Sequence, residues 1–431
     1  MNILSKLIEL ILIQFRVTYL GFVQGHSYFT DDIVKETKQY LDTPDPNIVV
    51  QFEKEFAALV GDGDGVSFAA GRMALYALLR VLNVGKDDEV IVTGFTCSVV
   101  LNAILRTGAR PIYTDIDIET YGSDPVSIER NISLRTKLII AQHSFGIPCK
   151  IEEIITVAKK YNIPVVEDCA LTLGSTSNGI SVGNFGVAAF FSTDHSKPIN
   201  TLIGGFLYTN DEALYTKIRS YHNDLPDLSL QHQQGLFNRF LYEKKYFTPT
   251  LYKRTKLHSL IEKTIRFFYS TYYEMLLIDD TRNPDKYPHD RYQYPAKLPT
   301  FLAYIGLHEI KCWEKEQKKR KEFLKAYLRS IIQYYSKDSY RIPEAYLNQR
   351  YDIIPLRFVF ECTNSDIIKR KLKKVIDSNW IWFQKPIVAT EAPLEEFYYR
   401  SGSCKIAESV GKRIVNLPCC FSINEIQLFF S

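Results

Sequence analysis

The chain reads as an α/β protein: a mostly parallel central sheet flanked by helices, followed by a smaller C-terminal α/β domain. Three observations predict this. Short apolar runs alternate with longer stretches of helical periodicity from Val49 to Tyr221, the rhythm of βαβ units. Those runs end in acids, hydroxyls or glycine turns, as buried parallel strands do where they open onto a ligand crevice. A shorter version of the same rhythm returns after residue 293. With 431 residues and 46% hydrophobic content, the chain can bury a large core and divide into two domains plus an insertion.

Residues 1–44 form an arm whose Ile3, Leu4, Leu7, Ile8, Ile11 and Phe15 recur at helical spacing. Charges interrupt it too often for a signal sequence or a spanning helix, so it packs on the body or on a second subunit; an interfacial membrane helix is the alternative. Residues 45–222 form the large domain. Val49–Val60 is an amphipathic helix, GDGDG resets the chain into a strand at Val66–Phe68, and Gly71 opens the next helix. A strand at Glu89–Val92, a helix at Val99–Arg106 capped by Gly108, and a strand at Pro111–Thr114 make one βαβ unit. Lys137–Ala141 is a strand, Ile151–Tyr161 its crossover helix, and Ile163–Val166 the next strand. Val187–Phe191, Gly205–Thr209 and the helix Ala213–Tyr221 close the domain.

Residues 223–292 are crowded with Tyr and Phe, and LYEKKYFTPTLYKRTKLHSLIEKTIRF carries seven Lys/Arg against Glu243 and Glu262. A basic helix with interleaved aromatics can lie on an anionic membrane, hold a phosphorylated ligand, or cover a subunit interface. Residues 293–431 form the small domain, entered through a segment of apolar helical spacing and a long charged helix.

The chemistry concentrates between Ile163 and Gly205. Glu167 and Asp168 end one strand, and Lys197 sits in a polar loop after Ser192, Thr193, Asp194, His195 and Ser196. An acid, hydroxyls and one lysine, each just past a strand, are the parts a pyridoxal phosphate site needs. The lysine amine joins the cofactor aldehyde, the carboxylate holds the ring nitrogen protonated, and hydroxyls and amides hold the phosphate.

The order EDCA, a Gly-rich turn, FFSTDHSK and GG resembles the DegT/DnrJ-type sugar aminotransferases, which are fold type I pyridoxal 5'-phosphate enzymes. The resemblance covers roughly residues 45–220 and 290–420. It implies Lys197 and Asp168 as the catalytic pair, Ser192 at the cofactor phosphate, and phosphate contacts from the Gly71, Arg72 and Met73 amides. It places Cys97 where relatives carry an aromatic ring over the pyridine, with Phe95 as the substitute or else a core residue. It places Leu171 where they carry a polar side chain beside the ring oxygen. Arg72 replaces a small hydroxyl residue, and its guanidinium either reaches phosphate or stays exposed in the first helical turn. The resemblance further implies that His143 lines the site, and that Lys297 stands near a position from which relatives reach a neighbouring subunit's cofactor.

The activity so implied is transfer of an amino group from an amino acid donor, glutamate, to a keto group of a nucleotide-activated sugar, for surface polysaccharide or related glycan synthesis, by a homodimer. His195 keeps a second reading open, since dehydratase relatives carry histidine in place of the lysine. A third is a degenerate relative acting as a binding protein. The eight cysteines show neither zinc-ligand spacing nor a disulfide pattern, which favours a reducing cytoplasm, with peripheral membrane association through the arm still open. A net charge of +4 is too small to argue for nucleic acid.

Overall fold

The computed structural model describes residues 3–268, 283–284 and 292–429. Its centre is a seven-stranded sheet of β1 (Asp64–Phe68), β2 (Glu89–Thr93), β4 (Arg110–Thr114), β5 (Thr136–Gln142), β6 (Val165–Asp168), β9 (Ala188–Ser192) and β10 (Gly205–Thr209), in the order β1-β10-β9-β6-β5-β2-β4. β10 runs antiparallel to both neighbours and the other adjacent pairs are parallel. The strand expected at Ile163–Val166 is shifted by two residues. Its ladder partners, Ala141 and Gln142 on one side and Ala189 and Phe190 on the other, carry pairing through Glu167 and Asp168.

Because successive strand side chains point to opposite faces, the sheet is apolar on both. Ile91, Ile139 and Val165 pack against Ile151 and Ile154 of helix α7 (Ile151–Tyr161). Val92, Ile140 and Val166 join the larger core with Leu75 and Leu78 of helix α4 (Gly71–Val81). Each such fully buried Leu or Ile contributes about 1.5–3 kcal/mol. Earlier in the chain lie α1 (Ile3–Gln14), α2 (Asp31–Asp42) and α3 (Pro46–Val60), and the other helices between the first and last strands of the sheet, or just after them, are α5 (Ser98–Leu105), α6 (Pro125–Asn131) and α8 (Glu212–Asn223).

The two segments expected after residue 293 are one helix, α11 (Thr300–Tyr334), 35 residues long. Its first turns bury Phe301, Leu302 and Ile305 in the main core. Its last turns bury Phe323, Tyr327 and Ile331 in a second core beside β13 (Arg357–Cys362) and β15 (Ile414–Pro418). Those strands form an antiparallel sheet with β11 (Tyr340–Arg341), covered by α12 (Ser365–Leu372) and α13 (Lys405–Arg413). Within the insertion the described residues include α9 (Leu230–Tyr246) and α10 (Tyr252–Phe268), and residues 269–282 and 285–291 lie outside the described residues. A parallel bridge between β3 (Thr96–Cys97) and β14 (Ile387–Val388) ties the C-terminal part to the loop after β2. β7 (Thr176–Ser177), β8 (Ile180–Ser181) and β12 (Tyr351–Asp352) make a small ribbon beyond β6. Among the described residues, no helix is long and apolar enough to cross a membrane.

Candidate active site

The connection between β9 and β10 is stapled across its base. Thr193 N–H donates to Gly204 O at 3.0 Å, Thr201 N–H to Thr193 O at 2.8 Å, and His195 N–H to Leu202 O at 3.0 Å. Asp194 folds the tip: its Oδ1 accepts from the Ser196 amide at 3.1 Å and hydroxyl at 3.0 Å, and its carbonyl accepts from Lys197 N–H at 2.9 Å. Lys197 therefore rises from a fixed turn into a cavity of about 350 Å³, with Nζ 4.8 Å from the centre of the Trp382 ring. Burial pulls the Lys197 pKa below its ordinary value, and the Arg357 cation adds to this against the opposing pull of Asp194, Cys97 and Asp168. A lowered pKa leaves more of the amine neutral, the form that attacks a carbonyl.

The same cavity is lined by Asp168, Gly71, Arg72, Cys97, Leu171, Ser192 and His195. Asp168 ends β6, is 4% exposed, and accepts one described hydrogen bond, from the Ala170 amide at 3.0 Å. Burial raises its pKa to about 6, with the Ala170 amide bond and the Lys197 cation pulling the other way. A carboxylate so placed is short of positive charge, and a protonated ring nitrogen beside it would supply that charge.

At the other side of the cavity α4 begins. Gly71 and Arg72 stand ahead of the intrahelical ladder, where N–H groups point out of the helix start. Ser192 touches this turn: a Cβ built on Gly71 would lie 3.1 Å from Phe191 O and 3.3 Å from Ser192 Cβ, so a side chain there would crowd the cup between helix start and strand end. Gly205 is needed for the same contact, since its Cβ would come within 2.3 Å of Gly71 N. Met73 does not take part. Its amide donates to Ala70 O at 3.0 Å and its side chain is in the core, because by that position the first turn has closed on itself. Arg72 lines the cavity while its Nη2 donates to Tyr292 Oη at 3.2 Å.

Cys97 lies at the β3–α5 junction, half-buried, its thiol pKa held up by burial. Phe95 is fully buried, its ring packed on Phe145 and Phe383, and does not line the cavity. The aromatic surface comes instead from Trp382, between the small-domain strands. The ring is held by the Arg357 guanidinium 3.5 Å from its centre, and its backbone by reciprocal bonds with Asn416. Only the composition of NWIWF hinted at this residue; its position depends on the β3–β14 bridge, which no local pattern announces. Gln142, also on the cavity wall, donates to Phe95 O at 2.8 Å and Ser144 Oγ at 3.0 Å.

Two expected residues lie elsewhere. His143 is fully buried; its Nδ1 accepts from the Cys149 amide at 3.0 Å, which places the ring proton on Nε2, 3.1 Å from Glu167 Oε2. Glu167 also takes the Phe185, Gly186 and Gly183 amides at 2.7, 2.9 and 2.8 Å. His143, Glu167 and Cys169 offer atoms within 4.8 Å of one another, but these bonds already occupy the carboxylate, so the group is a structural knot behind the strand end. Lys297 donates from Nζ to Asn223 O at 2.9 Å and from its amide to Pro226 O at 3.0 Å, which fastens the exit of α8 away from the cavity.

His195 points at the insertion. Its Nδ1 is 3.1 Å from Oε1 of Glu243, a fully buried residue of α9 that also accepts from Arg239 Nε at 2.7 Å. Burial alone would raise the Glu243 pKa, yet Arg239 and His195 hold it down at about 2.

The model of the DegT/DnrJ/EryC1/StrS aminotransferase family matches residues 33–233 and 274–428. The chain belongs to this family. Its aminotransferases depend on pyridoxal phosphate. Among curated proteins, GDP-perosamine synthase of Escherichia coli O157:H7 is 39% identical over 171 residues, 40% of this chain and 47% of that protein. The UDP-N-acetyl-3-dehydro-alpha-D-glucosamine 3-aminotransferase of Acidithiobacillus ferrooxidans is 40% identical over 172 residues, again 40% and 47%. The match thus spans about half the length of these relatives. Two solved structures share the fold: the aminotransferase from Psychrobacter cryohalolentis, at TM-score 0.69, 21% identity and 93% and 95% coverage of this chain and that one, and a family member from Brucella abortus, at 0.67, 20%, 93% and 94%.

Proposed function

We propose that the protein is a pyridoxal 5'-phosphate-dependent aminotransferase that moves an amino group from glutamate to a keto group of a nucleotide-activated sugar in glycan biosynthesis. The observation that carries this reading is the joint presence of Lys197, Asp168 and the Gly71–Ser192 cup in one cavity. Lys197 would hold the cofactor covalently, Asp168 would face its ring nitrogen, and Ser192 with the Gly71 and Arg72 amides would take its phosphate. Bound there, the cofactor supplies an electron sink for the carbon that loses and regains a proton. Lys197 would be the base and acid in reach of that carbon, and its lowered pKa leaves more of the amine neutral and able to take up the proton. Trp382 and Leu171 would give the ring apolar surroundings.

Elimination is the rival that His195 would serve. Its commitment to Glu243, with a lysine retained at 197, supports transfer over elimination. Glutamate added to the cofactor-loaded protein is expected to yield 2-oxoglutarate and to bleach the visible band. A yellow protein inert toward every amino donor would end this reading, and loss of a sugar hydroxyl without keto-acid turnover would replace it with elimination.

We place the protein in the cytoplasm as a homodimer; the eight unpaired cysteines support a reducing compartment. Ile11, Leu12, Phe15 and Val17 are exposed on the arm while Ile13 packs with Val23 and Tyr252, which supports a peripheral membrane contact. Flotation with anionic vesicles, lost in a Leu12→Asp/Phe15→Asp variant, is the expected result; no flotation of the parent removes the contact.

A further inference from the structure

The described part of the segment that the family model passes over, residues 234–268, does not stand apart from the site. Helices α9 and α10 face residues 377–391 of the small domain across a second chamber of about 760 Å³, and the two cavities meet at Trp382, Val388 and Ala389. Arg239 lines this chamber with one edge already fixed, its Nε on the buried Glu243 and its Cζ 5.4 and 5.3 Å from the centres of the Tyr242 and Phe247 rings. Among the described residues its two terminal nitrogens have no hydrogen-bond partner. A guanidinium held on one side and open on the other is prepared for two-point contact with an oxyanion.

Lys385 stands on the opposite wall, one ammonium hydrogen spent on Thr390 O at 2.6 Å and two remaining. The acids in the lining are Asp377 and Glu391, and Asp377 is already covered by Lys256 at 2.5 Å and Tyr252 Oη at 3.3 Å. Tyr242, Phe247 and Tyr252 give the chamber aromatic walls, and its size suits a nucleotide rather than a small acid.

Resting on the sugar-aminotransferase reading above, we propose that this chamber binds the diphosphate-bearing, nucleoside part of the acceptor, with Arg239 reading the phosphates and the keto-sugar passing Trp382 to reach Lys197. Acceptor choice then rests partly on Arg239 and its neighbours, in the segment outside the family model.

Calorimetric titration of the full-length, cofactor-loaded protein with UDP, GDP, dTDP, inorganic pyrophosphate and phosphate-free uridine tests this. At least one diphosphate is expected to bind and uridine is not. Kd for the diphosphate should rise about tenfold or more in Arg239→Gln and several-fold in Lys385→Met. Thermal melting and the cofactor band serve as folding controls, and if Arg239→Gln fails to fold, Arg239→Lys and Lys385→Met carry the test. Pyrophosphate binding as tightly as the nucleotides would support the phosphate contacts and leave the base outside. Failure of every diphosphate to bind the parent protein, or equal binding by the parent and both substituted chambers, would overturn the assignment. A parent protein that binds diphosphate through Arg239 yet does not react with glutamate would keep the chamber and remove the aminotransferase reading instead.

Discussion

Glu167 and Asp168 are neighbours on one strand, both carboxylic acids and both nearly inaccessible, yet they have opposite fates. Glu167 points behind the sheet end and is saturated by three backbone amides and the His143 ring. Asp168 points into the cavity, with one described amide bond and a pKa raised to about 6 by burial. The period-two alternation of a strand assigns one acid to holding the fold and the next to meeting a ligand. Burial alone therefore does not separate structural from chemical acids; the number of donors already engaged does.

Four substitutions or titrations test that division, from the largest effect down. Lys197→Ala should cut glutamate-dependent 2-oxoglutarate formation by about 10³-fold or more, with the melting temperature nearly kept, since the side chain's described contact is one ring face. Asp168→Asn should slow the glutamate half-reaction by about 10²-fold while leaving the protein folded. Glu167→Gln should do the reverse: an amide NH₂ turned toward backbone N–H groups costs about 2–3 kcal/mol in urea denaturation, with the cofactor band retained in the folded fraction.

The smallest effect is on pH dependence. The folded-state pKa of Asp168 lies above the ordinary carboxylate value of about 3.9, so its stabilising contribution is fully present below that value and is lost as pH rises through about 6. The stability of the cofactor-free parent relative to Asp168→Asn should therefore fall from about pH 4 to pH 7. Loading the cofactor, whose ring cation restores the missing charge, should flatten that slope.

The sheet and its crossover helices are legible in the sequence because period and turn chemistry are local: Ile151–Tyr161 is a helix at the bounds its pattern predicts, while Gly108, at φ +84°, turns the chain two residues after the Arg106 cap of α5. The acid is legible because it closes a strand, and the lysine because it stands in the polar loop that follows one. Register is not, so β6 runs two residues further than its apolar run, through the two acids themselves. Met73 reads as a phosphate contact until the helix turn is seen to close at Ala70, and His143 as a wall residue until Glu167 claims it. Trp382, Arg239 and Glu243 are contributed from more than forty residues away along the chain, by packing that no local spacing encodes.

The central claim is a covalent bond between Lys197 and pyridoxal phosphate. Borohydride reduction of the cofactor-loaded protein, followed by digestion and peptide mass spectrometry, reads it directly. The account predicts one reduced phosphopyridoxyl adduct, on the peptide containing Lys197 and absent from Lys197→Ala; no adduct, or an adduct on another lysine, contradicts it.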